Sequence, residues 1–219
     1  MLRRWCVVGV VLAVVLGIAG CSSSGKSAGP TTTTRPAPAT EPAPWPAPKP
    51  SEAMALARAA GLRPRGYETL QHHVHAHLDV FVDGVHETVP AGIGINIKDP
   101  AVHTGEIAGG PAYGGISPPC KQACISPLHT HADTGILHTE SPTAVDNTLG
   151  ELFIEWGVTL DNKCVGGYCS PAWKIAYYVD GKPYTGDPRK MTLTNFEEIA
   201  IVIGNPPANI PSTADFTTD

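Results

Sequence analysis

Between His72 and Val82 apolar and polar side chains alternate, with Val74, Ala76, Leu78, Val80 and Val82 on one side and His73, His75, His77, Asp79 and Phe81 on the other. A period of two is that of a half-buried strand, so the aliphatic set is expected on the core side and the histidines on the opposite face. His72 falls on the core side or ahead of the strand. Asp83-Gly84 is a hairpin turn signal that returns the chain through Val85 to Val89. Pro90 to Ile95 reads as a turn into a short buried strand, and Lys98 to Pro127 as a long loop rich in glycine and proline.

A second alternation places Leu128, Thr130, Ala132, Leu137 and Thr139 on a core side and His129, His131, His138 and Glu140 on the other. If Thr134-Gly135 forms a two-residue turn, His131 opposes His138 and His129 opposes Glu140. A bulge of one residue would scatter this set, because it moves side chains to the other face.

Two stretches change to helical spacing. Ser51 to Ala60 predicts a short helix with a serine cap and Gly61 after it. Thr148-Leu149-Gly150-Glu151 forms a capping box, Leu149, Leu152, Phe153 and Trp156 follow on one stripe, and Gly157 ends the pattern. Trp173 to Val179 and Glu198 to Ile203 predict two further strands, and Asp180-Gly181 repeats the turn signal of Asp83-Gly84. The fold class is therefore α+β, mostly β, with hairpins packed on one clear helix. From that helix to Gly204 the order of elements resembles small β-grasp modules; a β-sandwich is the alternative.

The start of the chain is of another kind. Met1-Leu2-Arg3-Arg4 is basic, and Cys6 to Ala19 form an apolar run too short for a comfortable membrane span. The segment Leu16-Gly17-Ile18-Ala19-Gly20-Cys21 resembles the lipobox of bacterial lipoproteins. That resemblance implies a signal peptide over residues 1–20, diacylation of Cys21, and a mature chain anchored by lipid to the extracytoplasmic face of the cell membrane. An ordinary cleaved signal or an uncleaved anchor are the competing readings. Residues 21–50 are rich in proline, threonine and serine and are expected to be an extended, disordered tether, with a bias similar to that of actinobacterial lipoproteins. Residues 51–219 then make a single globular domain, its core over about residues 65–205.

The formal charge is -5, and no basic stripe is present, which argues against a nucleic-acid partner. Four cysteines fall in the domain: Cys120, Cys124, Cys164 and Cys169. In an exported chain these imply two disulfides, with all three connectivities open; thiolate ligation of a metal beside His129 is the other option.

Seven of the nine histidines lie in the two alternating segments. Imidazole is the commonest metal ligand, so His75, His77, His129, His131 and His138 are the candidate ligands. His73, Asp79 and Glu140 are further donors, or acceptors that orient an imidazole N–H. The competing reading of any one of them is solvated surface, where His86 and His103 are placed. Imidazole-rich sites suit copper or zinc.

The segments His75 to Gly84, Val89 to Ile95, Leu128 to Ser141 and Thr148 to Gly157, with their HxHLDxxVDG and LHTHxxxGIxHxES motifs, resemble a group of exported, largely uncharacterised prokaryotic proteins. The resemblance covers most of the domain and supports treating the histidine segments as one constellation, but brings no activity with it. The chain departs from two other patterns: it lacks a cupredoxin-type Cys and Met ligand pair, and the glutamate expected after the HxH of a cupin. No Ser-His-Asp, Cys-His or nucleotide-loop motif is recognisable. The leading expectation is a membrane-anchored copper- or zinc-binding lipoprotein in envelope metal handling. The alternatives are an exported hydrolytic or oxidative metalloenzyme using the same histidines, and an interaction module with a structural metal or none.

Overall fold

A computed structural model describes residues 45–217 of the chain. The leader, Cys21 and most of the expected tether lie outside the described residues. Trp45, counted with the tether above, packs edge-on against Trp156 and Tyr168 with ring centroids 5.8 and 5.9 Å away, and its carbonyl accepts the Trp156 Nε1–H at 3.1 Å.

Helix α1 spans Pro50–Ala59 and buries Ala53, Met54 and Ala57. Its cap is Lys49 rather than the expected Ser51, and no side chain caps it. Pro50 at the first helical position supplies a fixed φ and has no N–H to satisfy, which removes much of the need for a serine.

Strand β1 covers His72–Val82. Asp83 and Gly84, with φ of 48° and 81°, turn it into the short β2, Val85–Glu87. Both turn residues require positive φ, which Asp and Gly tolerate best. The segment from Pro90 is not a strand: Ile93 and Ile95 are buried, but Ile95 makes only an isolated bridge to Ile125. The expected long loop contains a hairpin, β3 His103–Ile107 and β4 Gly110–Gly114. Four of the five β3 residues are exposed, so the alternation that marks a half-buried strand is missing.

The chain continues through β5 Leu128–His129, β6 Ile136–Ser141 and α2 Leu149–Trp156. The capping box of α2 forms as expected between Thr148 and Glu151, and Gly157 ends the helix at φ 73°. There follow β7 Cys164–Val165, β8 Tyr168–Cys169, β9 Ile175–Val179, β10 Lys182–Tyr184, a 3-10 turn at Pro188–Lys190, and β11 Glu198–Ile203. Asp180 and Gly181 repeat the positive-φ pair, at 48° and 72°.

The main sheet runs β10-β9-β11-β1-β6-β5, with β2 also paired to β1. Its centre is the parallel pair β1 and β11, and every other pairing is antiparallel. Helix α2 lies on one face, where Leu149, Leu152, Phe153 and Trp156 join Ala76, Leu78, Val80, Leu137, Ile199 and Ile201 in the core. A parallel central pair flanked by hairpins, with the helix in the crossover, is a β-grasp arrangement; one mixed sheet under a helical layer is not a sandwich.

The other face is partly covered too. Ile210 packs against Phe81, Ala200 and Val202, and Phe216 reaches the His77 ring. His77 and Asp79 are consequently 1% and 2% exposed, although the alternation put them on the non-core side. The β5–β6 register also differs from the expected one: His129 pairs with His138 and Leu128 with Thr139. The loop between them is longer than a two-residue turn, and the pairing has moved by two positions. An even shift preserves the face of every side chain, so Leu128, Thr130, Ala132, Leu137 and Thr139 are buried as expected. The disulfides are local, Cys120–Cys124 and Cys164–Cys169, which takes all four thiols out of metal ligation.

Candidate metal centre

Strand β6 lies between β5 and β1, and the ladder fixes what meets across it. His138 stands opposite His75 on β1 and His129 on β5, and Glu140 stands opposite His73. Directly opposed residues share a face, so five donors from three strands converge. His131 joins from just beyond β5, where its carbonyl accepts the Tyr113 N–H at 3.0 Å. The β3–β4 hairpin therefore holds the sixth donor in place.

The donor atoms lie close together. His129, His131, His138 and Glu140 each offer a ligand atom within 4.8 Å of the others, as do His73, His75 and His138. Glu140 Oε1 is the focus, 3.4 Å from His73 Nε2, 3.7 Å from the Nε2 atoms of both His129 and His131, and 3.8 Å from His138 Nδ1. In a tetrahedral zinc site with bonds of about 2.0–2.1 Å, neighbouring ligand atoms are roughly 3.3 Å apart. The His129 and His131 Nε2 atoms are separated by 3.2 Å.

Two of the rings have their tautomer set by backbone carbonyls. His129 Nδ1 lies 2.8 Å from the Ser126 oxygen and His131 Nδ1 lies 2.6 Å from the Tyr113 oxygen. Each Nδ1–H donates outward, so each Nε2 presents a lone pair to the centre. This is the arrangement by which outer groups orient metal-bound imidazoles. Glu140 is buried beside these rings and turns its carboxylate to the same point.

A cleft of about 380 Å³ reaches this point, lined among others by Glu68, His103, Tyr113, His131 and Glu140. His129 is wholly buried, whereas His73 retains about a third of its side-chain exposure.

Of the sequence candidates, His73, His75, His129, His131, His138 and Glu140 come together here. His77 and Asp79 do not join them. His77 Nε2 lies 2.9 Å from the Thr134 carbonyl and its Nδ1 2.8 Å from Glu198 Oε2. Asp79 Oδ1 is 2.6 Å from His86 Nε2. His77, Asp79 and Glu198 make a second, fully buried cluster. Burial lowers the proton affinity of His77, but Glu198 and Asp79 more than compensate, so its pKa is raised. Burial lifts the Glu198 carboxyl to about 7, with His77 opposing.

Sequence reasoning placed His86 on solvated surface and passed over Glu198, Ser126 and Tyr113. The last two act through backbone carbonyls, which carry no side-chain signal. Glu198 opens an otherwise aliphatic strand, and a carboxylate at the head of such a run was the one available clue.

The chain matches no known family model, no curated protein and no solved structure. Among the described residues no helix is long and apolar enough to cross a membrane.

Proposed function

We propose that the chain is an extracytoplasmic metal-binding lipoprotein, anchored through Cys21, that handles copper or zinc at the cell envelope. The observation that carries the metal reading is the facing pair of Nε2 lone pairs on His129 and His131, 3.2 Å apart with both Nδ1 atoms already committed to carbonyls. Two acceptors at that distance repel, and a metal ion held by both removes that repulsion. Imidazole and carboxylate donors together suit zinc or copper, and thiol buffering outside the cytosol is too weak to withhold either. The lipid anchor rests on the Leu16 to Cys21 segment and its apolar leader.

Metal analysis of protein purified from its own envelope tests the first part. Stoichiometric copper or zinc is expected, and the joint His129→Ala and His131→Ala variant should lose it. Protein that refuses both ions after chelation and reloading refutes the reading. Cys21→Ala should move the protein out of the membrane fraction and abolish acylation.

A second reading, a metalloenzyme, is favoured by one observation: the cleft is lined by His131 and Glu140, so a small molecule entering it comes beside the ion. Three imidazoles around an open position are able to lower the pKa of a bound water towards neutrality. Hydrolysis of an activated ester, with a pH midpoint that moves when zinc is exchanged for cobalt, would support this reading. A metal-loaded protein with no such turnover would oppose it.

A further inference from the structure

The centre has more donors than one ion uses. Five imidazoles and a carboxylate converge, whereas a tetrahedral zinc or four-coordinate copper site takes four ligands. The donors also fall into two groups that share His138. His129 Nε2 and His131 Nε2 face each other at 3.2 Å. In the other group, His73 Nε2 lies 2.8 Å from His75 Nε2, 3.3 Å from His138 Nδ1 and 3.4 Å from Glu140 Oε1. A single ring nitrogen carries either one hydrogen or one lone pair, so it satisfies one of those three neighbours by hydrogen bonding. A cation shared among them fits all three spacings at once. Spacings of 2.8 to 3.4 Å are those between neighbouring ligand atoms at right-angled to tetrahedral disposition, roughly 2.9 to 3.3 Å for bonds of about 2.0–2.1 Å.

We propose that the centre binds two ions, an inner one between His129 and His131 and an outer one between His73, His75 and His138, with Glu140 bridging them. Glu140 Oε1 is within 3.7 Å of a donor nitrogen in each group, the position of a carboxylate that bridges a two-metal pair, whose ions sit roughly 3.5–4 Å apart. His73 is the most exposed of these donors and His129 the most buried, while the cleft reaches His131 and Glu140. This deepens the metal-handling reading and rests on it, but the number of ions separates the two.

The test is titration of chelator-stripped, full-length protein in detergent with Zn²⁺ and with Cu²⁺, read by calorimetry and by elemental analysis after gel filtration. Two equivalents are expected in the wild type, and one in the His73→Ala, His75→Ala double variant, whose folding is checked by far-UV circular dichroism. Copper supplies a second readout. Two bridged Cu²⁺ ions couple magnetically, so the integrated resonance signal of the wild type should fall below its copper content, and that of the double variant should equal it. One equivalent in the wild type overturns the second ion and leaves the metal-binding reading intact; none overturns both. Two equivalents in the double variant also overturn the assignment. If that variant misfolds, Glu140→Gln decides: a wild-type pair that keeps its coupled signal without the carboxylate refutes the bridge.

Discussion

His129 and His138 stand directly opposite each other in the β5–β6 ladder, their rings near-parallel at 10° with centroids 5.4 Å apart. This stacked pair ties the shortest strand of the sheet to the strand that carries Glu140. The segment on either side of it therefore controls the site.

Thr130 sits between the two histidines of that segment and is wholly buried. Its hydroxyl donates to the Pro90 carbonyl at 2.8 Å and accepts the Ile93 N–H at 3.1 Å. Thr130→Val keeps the shape and orphans both groups, each worth roughly 1–3 kcal/mol when buried without a partner. The expected result is a lower urea midpoint at unchanged slope, together with weaker metal binding as His129 and His131 lose their fixed spacing. Unchanged stability would mean that this bond pair does not hold the Pro90 loop.

Gly94 has φ 73°, and a side chain there would fall against the Leu128 carbonyl oxygen and the Cβ atoms of His129 and Ser126. The same residue's carbonyl accepts the Ser126 N–H at 2.8 Å, and Ser126 in turn orients His129. Gly94→Ala combines a left-handed backbone penalty of about 1–2 kcal/mol with a backbone clash. Metal affinity should fall by more than tenfold, measured by competition with a chromophoric chelator, and thermal stability should fall with it. A variant with wild-type affinity would show that the Gly94 loop does not position His129.

These dependencies show which parts of the site were open to a reading of the chain. Alternation along β1 and β6 assigned each histidine to a face correctly, because parity survives any even shift in register. Which residues meet was not accessible: the turn after β5 is longer than the Thr134-Gly135 signal implied, and His129 meets His138 instead of Glu140. The hairpin of β3 and β4, which supplies the Tyr113 carbonyl, is mostly exposed and so lacks an aliphatic stripe. The cover over this face comes from a proline-rich, polar segment after β11, where Ile210 meets Phe81, Ala200 and Val202 and Phe216 meets His77, without any periodic signal. Helix α2 and strand β11 were legible throughout, since capping, periodicity and burial agree there.

The Cys120–Cys124 bond closes a small loop just before Ser126. Cys124 is pinned by its N–H to the Arg65 carbonyl at 2.7 Å and by its carbonyl to the Asn96 N–H at 2.8 Å. In the loop-entropy picture, closing so short a loop contributes about 2 kcal/mol. The paired Cys120→Ser and Cys124→Ala variant should show a lowered melting temperature and a weakened metal site, because the Ser126 carbonyl that orients His129 follows directly. Breaking Cys164–Cys169, within the β7–β8 hairpin, should lower stability and leave metal affinity unchanged. Equal effects of the two on metal binding would refute a local role for the first.

The buried pair of His77 and Glu198 gives the fold a pH dependence of known sign. Burial raises the Glu198 carboxyl from 4.5 to about 7, and the carboxylates of Glu198 and Asp79 hold His77 above 6.5 despite its own burial. Both groups bind protons more tightly in the folded chain than in the unfolded one, so the stability they contribute is present at low pH. It is lost as pH rises, for Glu198 between about 4.5 and about 7 and for His77 above 6.5. Asp79 has the opposite sign, its pKa lowered chiefly by His86 against burial, and acts only below 3.8. Glu198→Gln mimics the protonated carboxyl at all pH values and removes the partner that raises His77. Urea unfolding of chelated wild type and variant at pH 5, 6, 7 and 8 cancels the other histidines between the two proteins. The wild type should lose ground to the variant by on the order of 1–3 kcal/mol across that range. A constant difference, or one that grows in favour of the wild type as pH rises, would show that the pair does not hold its protons in the fold.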